Sequence, residues 1–272
     1  MEISLELTPS PAPVLFISHG GGPLPLLGDR GHQTMVDFLH EMHQTLTKPA
    51  AILVISAHWE ADKPTLTSHA SPALIYDYYG FPQEAYQIEY PARGNPVLAE
   101  KIFHLLKTQG IEAQLDEQRG FDHGLFVPLK ILYPQADIPC VQLSLANNLD
   151  PEFHIQMGKA LSALRQDNLL IIGSGFSFHN LRELIRGDAT VTDIKNQAFE
   201  QWLIDTCTNI DISESERSKR LIEWEKAPHA RYCHPREEHL LPLHVCYGIA
   251  NSAAKLVFND KILNKQTSAY LW

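Results

Sequence analysis

Cysteine is scarce in this chain of 272 residues: Cys140, Cys207, Cys233 and Cys246 are the only four, and no two stand in a CxxC or other close metal-binding spacing. That excludes a zinc-finger or disulfide-scaffold reading. Met1 to Ser10 carry acidic residues and no basic stretch before an apolar core, so no secretory signal is expected there. The thiols are then expected to be reduced, in a cytoplasmic protein. Basic residues are also short, with 22 Lys and Arg against 32 Asp and Glu and a formal charge of −10. Nucleic acid is therefore not an expected partner, because phosphate binding needs a basic face. Nor is a membrane, since no apolar run approaches the ~20 residues that cross a bilayer. GxGxxG and GxxxxGK[ST] are both missing, which leaves the glycine-rich stretch His19-Gly20-Gly21-Gly22 weak evidence for a nucleotide.

Hydrophobic residues make up 44% of the chain, enough for a compact core. Short buried-looking runs alternate with helical patterns. Pro13–Ser18, the apolar run that opens Ala51–Glu60, Ile138–Leu145 and Leu169–Ile172 read as strands, with weaker candidates at Thr65–Ser68, Ile111–Leu115 and Lys255–Phe258. Helices are expected over Gln33–Leu46, from Pro96 behind the cap Asn95, over Leu125–Tyr133 with Pro128 in its first turn, and from Pro151 to about Arg165. Three more are expected over Thr192–Thr208, from Ser213 to Trp224, and from Glu238-His239 through Ala250. Strands alternating with helices give an α/β fold: one domain over residues 1–272, with a central mostly parallel or mixed sheet flanked by helices. In such sheets the active site lies at the carboxyl ends of the strands.

Histidine is abundant at 14 residues, and position sorts them. His19, His58, His123 and His179 each lie just past a strand or strand-like run beside a small residue, and His239 opens a helix next to two carboxylates. His32, His40 and His43 read as solvated or packing residues. Any one of the five is more simply a structural histidine. Five presented at one sheet edge point to a metal or acid–base centre, because neutral imidazole is the commonest side-chain metal ligand. No HExxH pair names the metal.

Ser18-His19-Gly20, Ser56-Ala57-His58-Trp59, Gly120-Phe121-Asp122-His123-Gly124, Gly173-Ser174-Gly175 with His179-Asn180-Leu181, and Glu238-His239-Leu240-Leu241-Pro242 follow in that order. Together with the Tyr79-Gly80-Phe81-Pro82 loop and Tyr270, the pattern resembles the class III extradiol ring-cleavage dioxygenases, in the DOPA 4,5-dioxygenase branch. The resemblance implies an oxidoreductase that opens a catechol ring with O2. It implies His19, His58 and His239 as ligands of Fe(II), His179 as a base that can also approach the metal, and His123 as an acid. Glu238 is an alternative third ligand, since a two-His, one-carboxylate face is common for Fe(II). Zinc is expected in purified protein, because it outcompetes Fe(II) at nitrogen sites.

Trp59, Phe121, Phe176, Tyr270 and the tyrosine-rich stretch from Pro72 to Gly94 are candidates for the walls around a flat ring, each with core packing as an equal reading. The resemblance suggests DOPA and other 3,4-dihydroxyphenyl compounds with an acidic or amino side chain as substrates. Arg93, Arg119 and Arg182 are candidate carboxylate partners. Two other classes stay open: a zinc hydrolase using the same histidines, and a non-catalytic metal- or partner-binding module. Monomer and dimer are both compatible with the sequence.

Overall fold

A computed structural model describes residues 11–186 and 193–272. The Met1–Ser10 segment and Thr192, the expected start of a helix, lie outside the described residues. In chain order the strands are β1 (Val14–Ser18), β2 (Ala51–Ala61), β3 (Thr65–Thr67), β4 (Gln114–Asp116), β5 (Cys140–Ala146), β6 (Leu169–Gly175), β7 (Lys255–Ile262) and β8 (Lys265–Leu271). The helices are α1 (Gln33–Thr45), α2 (Pro96–Thr108), α3 (His123–Leu132), α4 (Pro151–Ala160), α5 (Leu181–Arg186), α6 (Ile194–Thr208), α7 (Glu214–Ile222), α8 (Ala230–Cys233) and α9 (Leu241–Ala250).

The strands form one mixed sheet in the order β4-β3-β5-β2-β6-β1-β8-β7. Its centre is parallel: β6 pairs with both β1 and β2, and β2 with β5. These strands are almost wholly buried, as their near-continuous apolar sequences demand of strands covered on both faces. Gly173 and Ser174 show what covers them. A Cβ at Gly173 would lie 2.5 Å from Cys246 Sγ of α9, whereas the Ser174 hydroxyl donates to the Gly124 carbonyl of α3. Side chains alternate along a strand, so α9 and α3 lie on opposite faces. The α3 face, at the carboxyl ends of β1, β2 and β6, is where the histidines gather.

Caps mark most of the helix starts. Asn95 accepts from the Leu98 amide, Asp150 from Glu152 and Ser213 from Glu216, each relieving an unpaired first-turn N–H. Two readings need correcting. Pro128 sits inside α3, not in its first turn, because Asp122 caps that helix and starts it two residues before Leu125. The chain also ends in a hairpin, not one strand. Leu263 (φ 50°) and Asn264 (φ 66°) turn β7 into β8, which lies antiparallel to β1. No helix is long and apolar enough to cross a membrane among the described residues.

Candidate metal centre

Five histidines from five parts of the chain line one cavity of about 580 Å³: His19, His58, His123, His179 and His239. Each is held by a different local device. His19 follows β1 directly, and the chain then turns away at Gly20, whose φ of +87° suits glycine alone. His32 supports that turn. It is buried, not solvated: Nδ1 lies 2.7 Å from Asp29 Oδ2, and Nε2 accepts the Gly21 amide at 2.9 Å. His58 lies within β2, not beyond it, where the pairing with β5 is irregular between Ile55 and Glu60. His123 is the first residue of α3 behind its Asp122 cap. His239 precedes α9, and its carbonyl accepts the Phe176 amide at 2.9 Å, docking that turn on the end of β6. His179 is held through its own amide, which donates to the Cys233 carbonyl at 3.0 Å.

The hydrogen bonds fix which nitrogens face inward. Ser174 spends its one hydroxyl proton on the Gly124 carbonyl, so His19 Nδ1, 3.0 Å away, must be the donor to Ser174 Oγ. The lone pair of His19 is therefore on Nε2, which lies 3.0 Å from His58 Nε2. Glu238 Oε1 lies 2.9 Å from His239 Nδ1 and 3.0 Å from His179 Nδ1, so one carboxylate oxygen orients both rings. Asp77 Oδ1 does the same for His123 Nδ1 at 2.8 Å, and its other oxygen lies 3.7 Å from His58 Nδ1. Ring centroids of His19, His58 and His239 are 4.8–5.3 Å apart, and the His179 ring stacks on His239 at 3.3 Å.

Electrostatics select the neutral, ligand-ready form. Burial first, and then the neighbouring imidazoles, hold His19 and His239 well below the usual histidine pKa. Burial and His123 do the same for His58, with Asp77 and Glu238 opposing without reversing the shift. For Asp77 and Glu238 burial acts to raise the pKa. The hydrogen bonds and charge of His123 and His179 outweigh it and keep both carboxyls below their ordinary values. This donor set fits a divalent cation. Two imidazole nitrogens on a tetrahedral ion would stand about 3.3 Å apart, and the rings of His19, His123, His179 and His239 each have an outer partner of the kind that orients metal-bound histidines.

The family described as the catalytic LigB subunit of aromatic ring-opening dioxygenase matches residues 13–270. The chain belongs to this family. It is 40% identical to "Dioxygenase tasH" of Hapsidospora irregularis over 96% of this chain and 85% of that protein. It is 39% identical to "4,5-DOPA dioxygenase extradiol" of Beta vulgaris over 90% of each. The crystal structure of an uncharacterized protein from Escherichia coli K12 superposes with a TM-score of 0.76 at 26% identity, covering 96% of this chain and 99% of that one. This LigB-family chain is thus a metal-dependent ring-cleaving oxidoreductase, and the described residues offer a metal two neighbouring groups of donors, His19 with His58 and His123, and His179 with Glu238 and His239.

The aromatic candidates separate. Phe176 lines the cavity, edge-on to His19 with centroids 6.3 Å apart. Trp59, Phe121 and Tyr270 do not line it. Trp59 follows His58 on a strand and so points the other way; the Arg119 guanidinium covers its ring at 4.4 Å. Phe121 is fully buried and bonds Ala73 and Ile75 through its backbone. Tyr270 is on β8, stacked on Phe16 with its hydroxyl 2.9 Å from Ser268 Oγ. From the Pro72–Gly94 stretch, Tyr78, Tyr79 and Phe81 line the cavity. Asp77 and Ser174, which orient the imidazoles, were not singled out as site residues. Asp77 is a lone acid between tyrosines, a signal only in retrospect. Ser174 lies in the Gly173-Ser174-Gly175 motif that carries part of the resemblance.

Proposed function

We propose that His19, His58 and His239 hold a divalent metal and that the chain, as one catalytic domain over residues 1–272, opens the ring of a catechol with O2. The observation that carries this is the orientation of the imidazoles. The outer nitrogens of His19 and His239 are tied to Ser174 and Glu238, His58 Nδ1 faces Asp77, and His19 Nε2 faces His58 Nε2. Glu238 fits an orienting role better than a ligand role, since its Oε1 is engaged with both His239 and His179. When bound, iron(II) supplies the one-electron chemistry that lets oxygen react with an aromatic ring, and its charge acidifies the catechol hydroxyls.

The side chains do the rest. His179 is the base: with Nδ1 fixed on Glu238, its Nε2 lone pair takes a hydroxyl proton. Glu238, held ionised, stabilises the imidazolium that results. His123 is the proton donor, kept in orientation by Asp77. Phe176, Tyr78 and Phe81 exclude water from the flat ring between them. The products balance as catechol plus O2, with both oxygen atoms retained and the ring bond beside the two hydroxyls broken.

The test is to remove metal, reload anaerobically with iron(II), and follow absorbance and oxygen uptake over a panel of catechols. A coloured ring-opened product with one O2 consumed per catechol is expected. Zinc-loaded protein should be inactive, because zinc has no redox chemistry. The proposal fails if iron-loaded protein opens none of the panel.

A further inference from the structure

We infer that the cavity selects catechols carrying an uncharged, apolar substituent, not the acidic or amino side chain that the resemblance suggested. This rests on the catechol reading of the site and goes beyond it to the substrate class. The lips of the cavity carry the inference. Tyr79, Leu181 and Ile185 line it, yet they are 92%, 60% and 83% exposed. Apolar side chains left in water at the mouth of a pocket mark a surface that a ligand covers. Leu181, Leu184 and Ile185 stand at i, i+3 and i+4 on α5, so one face of that helix is turned to the cavity. Arg182 lies off that face and is exposed. Tyr78, Tyr79 and Phe81 form the facing lip.

Volume and charge agree with this. About 580 Å³ is the size of a pocket for a drug-sized ligand, far more than one dihydroxyphenyl ring fills. Among the described residues no lysine, arginine, aspartate or glutamate lines the cavity. Recognition of a carboxylate generally uses a fixed guanidinium, and two of the arginines nearby, Arg236 and Arg119, are engaged. Arg236 forms a two-pronged pair with Glu60 at 2.5 Å, and Arg119 covers Trp59 and pairs with Asp122. Arg93 belongs to a separate depression beside Pro91 and Pro139. A carboxylate drawn between these lips would lose water without gaining a partner.

The experiment compares 4-butylcatechol with 3-(3,4-dihydroxyphenyl)propionate. Binding to zinc-loaded protein is measured by calorimetry, and turnover by iron-loaded protein is measured by oxygen uptake. The neutral catechol should bind at least about tenfold tighter, the scale on which a hydrophobic pocket discriminates. Ile185→Arg, at an exposed position that tolerates the change, should narrow that ratio by restoring affinity for the propionate, while Ile185→Leu should keep it. The inference is overturned if wild-type protein binds the propionate as tightly or more tightly, if it binds neither, or if Ile185→Arg, with unchanged metal content and melting temperature, leaves the ratio where it was. Failure of the catechol reading looks different: the binding preference holds, but neither compound is opened by iron-loaded protein.

Discussion

The floor and the lips of the cavity follow opposite rules. On the floor, the outer nitrogens of His19, His123, His179 and His239 each have a polar partner, and the rings are buried or nearly so. At the lips, Tyr79, Leu181 and Ile185 are apolar and face water. A buried polar cluster is costly unless every member is satisfied, so small changes there have large consequences. Exposed apolar groups hold little together, so they are free to be tuned to a ligand. The floor sets what chemistry is possible, and the lips set which molecule receives it.

The sharpest way to break this contrast is to delete a floor imidazole. His58→Ala should lower metal content from near one equivalent to near zero, by elemental analysis, and turnover with it. His179→Ala should keep the metal and lower turnover by about 10²–10⁴-fold, the usual worth of a positioned base. Loss of metal in that variant would make His179 a ligand, and its role as base would be withdrawn. Asp77→Asn keeps the shape of the side chain but not its charge, and should lower turnover by about 10–100-fold, as outer partners of metal sites do. No change in that variant would show that His123 needs no orientation.

Acid acts on buried histidines outside the cavity as well. The buried histidines have pKa values depressed from 6.5 in the native state, to about 4 for His154 and about 3 for His234, in both cases through burial first. Below pH 6.5 the unfolded chain binds protons that the native chain refuses, so stability is full above that pH and is lost as pH falls toward 4. Each such group contributes up to about 1.4 kcal/mol per pH unit. Glu200 acts in the opposite sense. Burial pushes it up to about 7 from 4.5, so between those values the native form holds the extra proton and offsets roughly one histidine. The melting temperature should therefore fall from pH 7 to pH 5, and a flat profile would contradict the depressed values of His154 and His234. The smallest effect is expected at the lips. Tyr79→Ser should shift KM by less than about tenfold and leave kcat, metal content and the acid profile unchanged.

Much of this was legible in the residues. Asn95-Pro96, Asp150-Pro151 and Ser213 with Glu216 are local caps, and the helices begin where they predict. The apolar runs of β1, β2, β5 and β6 marked the sheet centre, and the histidines near their ends marked its functional edge. What stayed hidden depends on contacts between distant residues. β8 mixes Gln, Thr and Ser with few apolar groups, and its turn, Leu263-Asn264, has no glycine to announce a hairpin. Trp59 and His58 are neighbours in sequence and opposites in space. The alternation that separates them was available, but it counted only once His58 was known to lie inside the strand. Asp77 gives no sign, because a lone acid among tyrosines acquires meaning only from His123, to which it is bonded across 46 residues of chain.

The spread of the site along the chain has a consequence for how the protein assembles. The three proposed ligand nitrogens come from residues 19, 58 and 239, and Ser174, register partner of both Ile17 and Ser56, ties the first two strands together through β6. Two long chain segments must close before any high-affinity cage exists. Metal capture then reports a finished sheet instead of guiding its formation. In stopped-flow refolding, added zinc should leave the folding rate unchanged and slow unfolding, the signature of contacts absent from the transition state.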